Sequence, residues 1–210
     1  MMPIDSPTEE LMQRVGRGDD QALQVLLDRH RARLRGAVAL HMDRRLSPRI
    51  DPSDIVQEAL GDAHRKLPAY LLDPPISFYP WLRRLALERL IQAHRRHLRS
   101  SSRSVDRERR DRPALPEESA LLLVERLADR QASPSQALAR AERNGQLRAA
   151  LDRLPQADRE VLVLRYLEEL PFGEIADILG VKLGAIKMRH LRALQRLHDL
   201  LSAGDGSVHP

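Results

Sequence analysis

The sequence contains no cysteine, which rules out disulfides and thiolate metal sites and fits a reducing compartment. Aromatic residues make up only 3% of the 210 positions, so each one has to be accounted for individually. No apolar run approaches the roughly 18 residues of a membrane span, and the polar start MMPIDSPTEE does not resemble a signal peptide. These absences predict a soluble, cytoplasmic chain without a membrane partner. Strand-like alternation is also missing and β-branched residues are sparse, which argues against a sheet. What the chain does have is a 42% apolar content, enough for modest helical cores, and 35 Lys plus Arg against 30 acids. The resulting net charge of +5 suits a polyanionic partner, although many solvated helical surfaces share it.

Three helix-start signals punctuate the chain, each a capping residue followed by proline at the first helical position, where a missing N–H is harmless. Ser6-Pro7-Thr8-Glu9 and Ser133-Pro134-Ser135-Gln136 fit the capping-box pattern, and Asp51-Pro52-Ser53-Asp54 is a variant of it. Apolar residues recur at helical spacing from Leu11 to Leu40, Ile55 to Leu67 and Trp81 to Leu98. They do so again from Leu138 to Leu151, Val161 to Leu167, Ile175 to Leu179 and Leu183 to Leu201. Between the two groups lies the polar stretch SSRSVDRERRDRPALPEES, followed by a short apolar patch from Leu121 to Leu127. The expectation is an all-α protein: a helical domain over 1–98, a flexible linker over 99–132, a second helical domain over 133–202, and a disordered tail over 203–210.

The sharpest local motif is PFGEIADILGVKLGAIKMRHLRALQRL, in which Ala176, Gly180 and Ile186 stand at helix-turn-helix spacing. A small residue suits the close helix crossing at Ala176, glycine suits a left-handed turn at Gly180, and Ile186 suits the shared core. On a 3.6-residue wheel Leu183, Ile186, Ala193, Leu194 and Leu197 face inward. Ala185, Met188 and Arg192 centre the opposite face, flanked by Lys182, Lys187, Arg189 and Arg196, and no acid occurs from Lys182 to His198. Such a face would neutralise phosphates, and a guanidinium near its start could read guanine edges in a major groove. His190 falls on the inner side and is expected to be packed. The alternative for the whole motif is a helical hairpin that binds nothing.

In the amino-terminal half, Asp54, Glu58 and Asp62 are spaced four apart, and Ile55, Val56, Ala59, Ala63 and Leu67 supply a buried side. Spacing alone fits a docking ridge for a basic partner and a merely solvated face equally well. No nucleophile, His ligand set or phosphate loop accompanies these acids, so neither catalysis nor a cofactor is expected. Downstream, Arg83 to Arg110 holds ten arginines against three acids, a composition suited to a helix along phosphates. Phe78, Tyr79 and Trp81 beside it could stack on unpaired bases, but aromatics this scarce are more often core. His94 and His97 have metal-ligand spacing, yet the neighbouring arginines would repel a cation, so no metal is expected.

Taken in order, these segments resemble the extracytoplasmic-function (ECF) sigma factors of bacterial RNA polymerase, which retain the helical regions two and four. DPSDIVQEAL looks like the region-two helix that docks on the core polymerase, which implies contact roles for Asp51, Asp54, Ile55, Val56, Gln57 and Glu58. FYPWLRRLALERLIQAHRR resembles the segment that engages the promoter minus-ten element, and implies that role for Arg83, Arg84, Glu88, Arg89, Gln92, His94, Arg95 and Arg96. The resemblance also implies a flipped-base pocket near the loop from Leu71 to Phe78. LDRLPQADREVLVLRYLEELPFGEIADILGV is similar to the opening of region four, and LGAIKMRHLRALQRL to its reading helix. That similarity implies minus-thirty-five contacts for Lys182, Leu183, Ala185, Lys187, Met188, Arg189 and Arg192. The chain departs from the pattern at Glu88 and Gln92, where most members carry Asn and Asp, and at Lys182, where many carry Ser.

The implied partners are core RNA polymerase and promoter DNA, with an anti-sigma factor as a further candidate and a monomer as the free state. The competing reading is a dimeric helix-turn-helix regulator of symmetric operators that never touches polymerase.

Overall fold

The computed structural model of the protein describes residues 8–43, 45–98, 122–123 and 137–205. Among these residues the chain is helical throughout, and it divides into two compact units, Met1–Pro116 and Glu117–Pro210.

The first unit holds α1 (Thr8–Val15), α2 (Asp20–His41), α3 (Pro52–Leu72) and α4 (Phe78–Leu98). The helical periodicity from Leu11 to Leu40 is carried by two helices, because Gly16-Arg17-Gly18 forms a turn in which Gly18 takes φ +84°. A left-handed residue ends a helix cleanly when it has no Cβ. Asp19 then caps α2 by accepting from the Ala22 N–H at 2.9 Å, and the Arg14 guanidinium holds its carboxylate.

The start of α3 realises the pattern expected at Asp51. The Asp51 side chain accepts from the Ser53 N–H at 2.7 Å, the Asp54 side chain accepts from the Asp51 N–H at 3.3 Å, and Pro52 opens the helix. The corresponding signals at Ser6 and Ser133 lie outside the described residues. Leu26, Leu34, Leu82 and Leu90 are fully buried where α2, α3 and α4 meet. Each buried leucine contributes roughly 1.5–3 kcal/mol. The α3–α4 connector is tied down by the Tyr70 hydroxyl, which donates to the Ile76 carbonyl at 2.9 Å.

The second unit holds α5 (Ala137–Arg153), α6 (Gln156–Tyr166), α7 (Phe172–Leu179) and α8 (Leu183–Asp205). Helix α8 runs three residues past position 202, where the sequence suggested the domain would end. Leu151, Leu162, Leu164, Leu170, Ile175 and Ile186 are buried to 2% exposure or less and form the core under α8. In the expected linker only Leu122 and Leu123 are described; they are helical, and Leu123 is fully buried.

Candidate nucleic-acid interface

The turn between α7 and α8 has the geometry that its sequence predicts. Gly180 sits at φ +66°, ψ +35°, and its N–H and that of Val181 both donate to the Ala176 carbonyl. Any residue with a Cβ would be strained at that φ. Ala176 and Ile186 are buried, so α8 packs through its first turns against α7. Ala193 and Leu197 continue the inner face.

With that face spent on packing, Lys182, Ala185, Lys187, Met188 and Arg192 are exposed together, and Arg189 is half-buried beside them. Two details differ from the wheel. Leu183, expected inside, is 45% exposed, because the first turn of α8 projects beyond the core. Arg196, expected on the outer basic face, is bonded to the buried Asp158 of α6, so it clamps α8 to its own bundle. His190 is packed as expected. Its ring meets Phe172 edge-on at 5.1 Å, its Nε2 is hydrogen-bonded to the Tyr166 hydroxyl at 3.1 Å, and burial together with the nearby Arg165 lowers its pKa.

In the first unit the acidic row is shorter than its spacing suggested. Asp54, Gln57 and Glu58 are exposed, but Asp62 is buried and gripped by two guanidinium nitrogens of Arg89. The Arg89 hydrogen bonds hold the Asp62 carboxyl below the usual carboxylate range. Ile55 and Val56, for which the resemblance implied contact roles, are 2% and 1% exposed and serve as core. Asp51 is exposed but its side chain is committed to the helix cap. Gln57 accepts from Arg31 of α2 at 2.7 Å, and Arg35 donates to the Ser53 hydroxyl at 3.1 Å, so arginines border this acidic edge.

The arginine-rich α4 is likewise more internally engaged than its composition suggested. Arg83 is 7% exposed and donates to His41 Nε2 at 3.1 Å, so it does not stand at a surface where phosphates pass. Arg89 is committed to Asp62, with Glu58 at 3.6 Å. Arg84, Glu88, Gln92, Arg95 and Arg96 remain exposed along the helix. His94 is half-buried, with Nε2 3.5 Å from Asp43, whose carboxyl is held far below its usual range chiefly by Arg45. No three His, Asp or Glu residues cluster as a metal site among the described residues, and the His97 side chain lies outside them.

Phe78, Tyr79 and Trp81 are core and unavailable to bases. Trp81 stacks on Tyr70 at 4.4 Å, Phe78 lies 5.7 Å from both rings, and His30 packs against Phe78 and Tyr79 at 5.6 Å. Arg33 covers the Tyr79 ring at 3.7 Å. Burial, with Arg33 and Arg29 nearby, lowers the His30 pKa to about 4. At the end of α3 the exposed apolar residue is Leu72, 88% accessible at the start of the connector.

Sequence reasoning missed the Asp62–Arg89 and Asp158–Arg196 pairs, since each joins helices far apart in the chain. A local cue existed for Arg83, because Ala86, Leu87 and Leu90 follow it at helical spacing and all three are buried.

Residues 144–197 match the family model described as Sigma-70, region 4. The chain is 27% identical over 196 residues to the RNA polymerase sigma-H factor of Pseudomonas aeruginosa, covering 92% of this chain and 93% of that one. It is 32% identical over 172 residues to the ECF RNA polymerase sigma factor SigE of Mycolicibacterium smegmatis, covering 79% of this chain and 60% of that one. Among solved structures it is similar to CnrH in complex with the cytosolic domain of CnrY, at 23% identity and a TM-score of 0.48, covering 92% and 96% of the two chains. No helix of the described residues is long and apolar enough to cross a membrane. The chain belongs to the extracytoplasmic-function family of RNA polymerase sigma factors, whose function is transcription initiation.

Proposed function

We propose that this chain attaches to core RNA polymerase through the exposed edge of α3 and places two helices on promoter DNA, α4 at the minus-ten element and α8 at the minus-thirty-five element. The observation that carries this reading is the division of α8. Ile186, Ala193 and Leu197 are buried on one side, while Lys182, Ala185, Lys187, Met188 and Arg192 are exposed on the other, after a left-handed turn at Gly180. A helix so divided can enter a major groove without disturbing its own core, with Lys182 and Lys187 on phosphates and Arg192 at base edges.

On the polymerase side, Asp54, Gln57 and Glu58 form the contact, and Asp51, Ile55 and Val56 hold the helix that presents them. On the minus-ten side, Arg84, Arg95 and Arg96 supply charge for phosphates, Glu88 and Gln92 offer polar groups, and His94 stands at the edge. Arg83 and Arg89 act from behind, fixing α4 on α2 and α3. Each contact is small. Joining two of them in one chain raises the effective concentration of the second, so each unit alone binds promoter DNA far more weakly than the whole.

The polymerase does the chemistry, and no cofactor is required of this chain. The test is co-purification with bacterial core RNA polymerase together with factor-dependent transcription from a linear template. Both are expected, and failure of both would reject the proposal in favour of a factor that acts on DNA alone.

A further inference from the structure

The acidic edge of α3 and the basic helix α4 share one carboxylate. Glu58, whose side chain is 46% exposed, faces two arginines of α4 through the same oxygen, Arg89 at 3.6 Å and Arg96 at 3.9 Å. The two arginines are held differently. Arg89 is 25% exposed and anchored by the buried Asp62, so it stays in place whatever becomes of Glu58. Arg96 is 57% exposed, and among the described residues Glu58 is the only acid in reach of it.

We propose that Glu58 is an exchangeable acceptor which, in the free protein, draws Arg96 back onto α3. A cationic group of the polymerase that takes Glu58 then releases Arg96 to a promoter phosphate, and DNA that takes Arg96 leaves Glu58 open to the polymerase. This inference rests on the docking reading given above. The two binding events strengthen each other because linkage is reciprocal: whatever factor the polymerase adds to DNA affinity, DNA adds to polymerase affinity. Asp62 has a separate part as a positioning residue. It neutralises Arg89, which would otherwise compete with Arg96 for Glu58, and it leaves the shared carboxylate to the two solvent-facing partners.

The exchange is feasible because both Glu58 pairs are long and partly exposed, and such pairs are worth little in water. A guanidinium moving from a carboxylate to a phosphate trades one ion pair for another and releases a counterion from the nucleic acid. The expected size is therefore modest and measurable.

The test uses the full chain and a short, labelled, mixed-sequence single-stranded DNA in the absence of polymerase. Glu58→Gln is expected to tighten DNA binding about two- to five-fold, the strength of an exposed ion pair. It should also steepen the dependence of log affinity on log salt by about 0.7, one added phosphate contact on a single strand. Arg96→Gln should lower affinity, and Glu58→Gln placed on that background should give no gain.

An unchanged or weaker affinity for Glu58→Gln overturns the proposal. So does a gain that persists without Arg96, because it would report only net charge. Binding of the same Glu58→Gln chain to core polymerase separates this inference from the docking reading. If core affinity falls while free-chain DNA affinity stays level, the exchange is wrong and docking stands; if core affinity is unchanged, the docking assignment of Glu58 is wrong, and the exchange with it.

Discussion

Helices α4 and α8 are both rich in arginine and both amphipathic, yet they spend their cations in opposite ways. On α8 the guanidinium of Arg196 is bonded to Asp158, while Lys182, Lys187 and Arg192 point outward. On α4 Arg83 is buried against His41 and Arg89 is bonded to Asp62, leaving the outer role to Arg84, Arg95 and Arg96. Counting arginines along a helix therefore overstates its basic surface. What sets that surface is the position of each arginine relative to the buried stripe and to the carboxylates of the helices packed beside it. The reading head is a nearly pure basic face, whereas α4 is half scaffold, tied at several points to α2 and α3.

The largest expected effect tests the scaffold half of that contrast. Trp81, stacked on Tyr70 and 4% exposed, should cost about 3–5 kcal/mol of stability when replaced by alanine, as large aromatic truncations in cores do. Urea denaturation followed by far-UV circular dichroism measures it. Loss of DNA binding at wild-type stability would instead mean that this ring serves the nucleic acid.

A second, smaller effect separates the two units by pH. His30 packs against Phe78 and Tyr79 with Nε2 buried and without a hydrogen-bond partner, and its pKa falls from 6.5 to about 4 on folding. The folded chain refuses a proton that the unfolded chain accepts. Stability is therefore full above pH 6.5, declines as pH falls towards about 4, and declines no further through this group below that. The loss is on the order of 3 kcal/mol at most, from about 1.4 kcal/mol per pKa unit. His190 shifts in the same direction, but with the Tyr166 hydroxyl as partner. Trp81 is the only tryptophan in the chain, so its fluorescence reports the first unit alone. Its urea midpoint should drop on acidification through this window, and His30→Phe should flatten the drop; an equal drop in the variant would show that other groups carry it.

The sequence disclosed the reading head almost completely, because a helix-turn-helix is a local object. Ala176, Gly180 and Ile186 lie within eleven residues, and each has a steric requirement that its type declares. The cap at Asp51 was legible for the same reason. The inward turn of Asp62, Arg89 and Arg196 was not, since each counter-ion lies 27 or 38 residues away on another helix, beyond any periodicity window. The aromatics at the start of α4 stood between two uses until the partners of Trp81 were known, because a scarce residue type fits either a core or a stacking platform. Ile55 and Val56 show the limit of carrying roles across by resemblance: they belong to the right helix but to its buried side.

The central claim is that one edge of α3 meets the polymerase while the exposed face of α8 meets upstream DNA, with the two surfaces independent at the residue level. Equilibrium binding of core polymerase to two variants tests it most directly: the double charge reversal Asp54→Lys with Glu58→Lys, and Arg192→Ala. The account predicts that the reversal weakens polymerase binding at least ten-fold, about 1.4 kcal/mol, while Arg192→Ala binds polymerase like wild type and loses protection of the upstream promoter element in a footprint. Full polymerase affinity in the reversed variant, or an unaltered upstream footprint in Arg192→Ala, would contradict it.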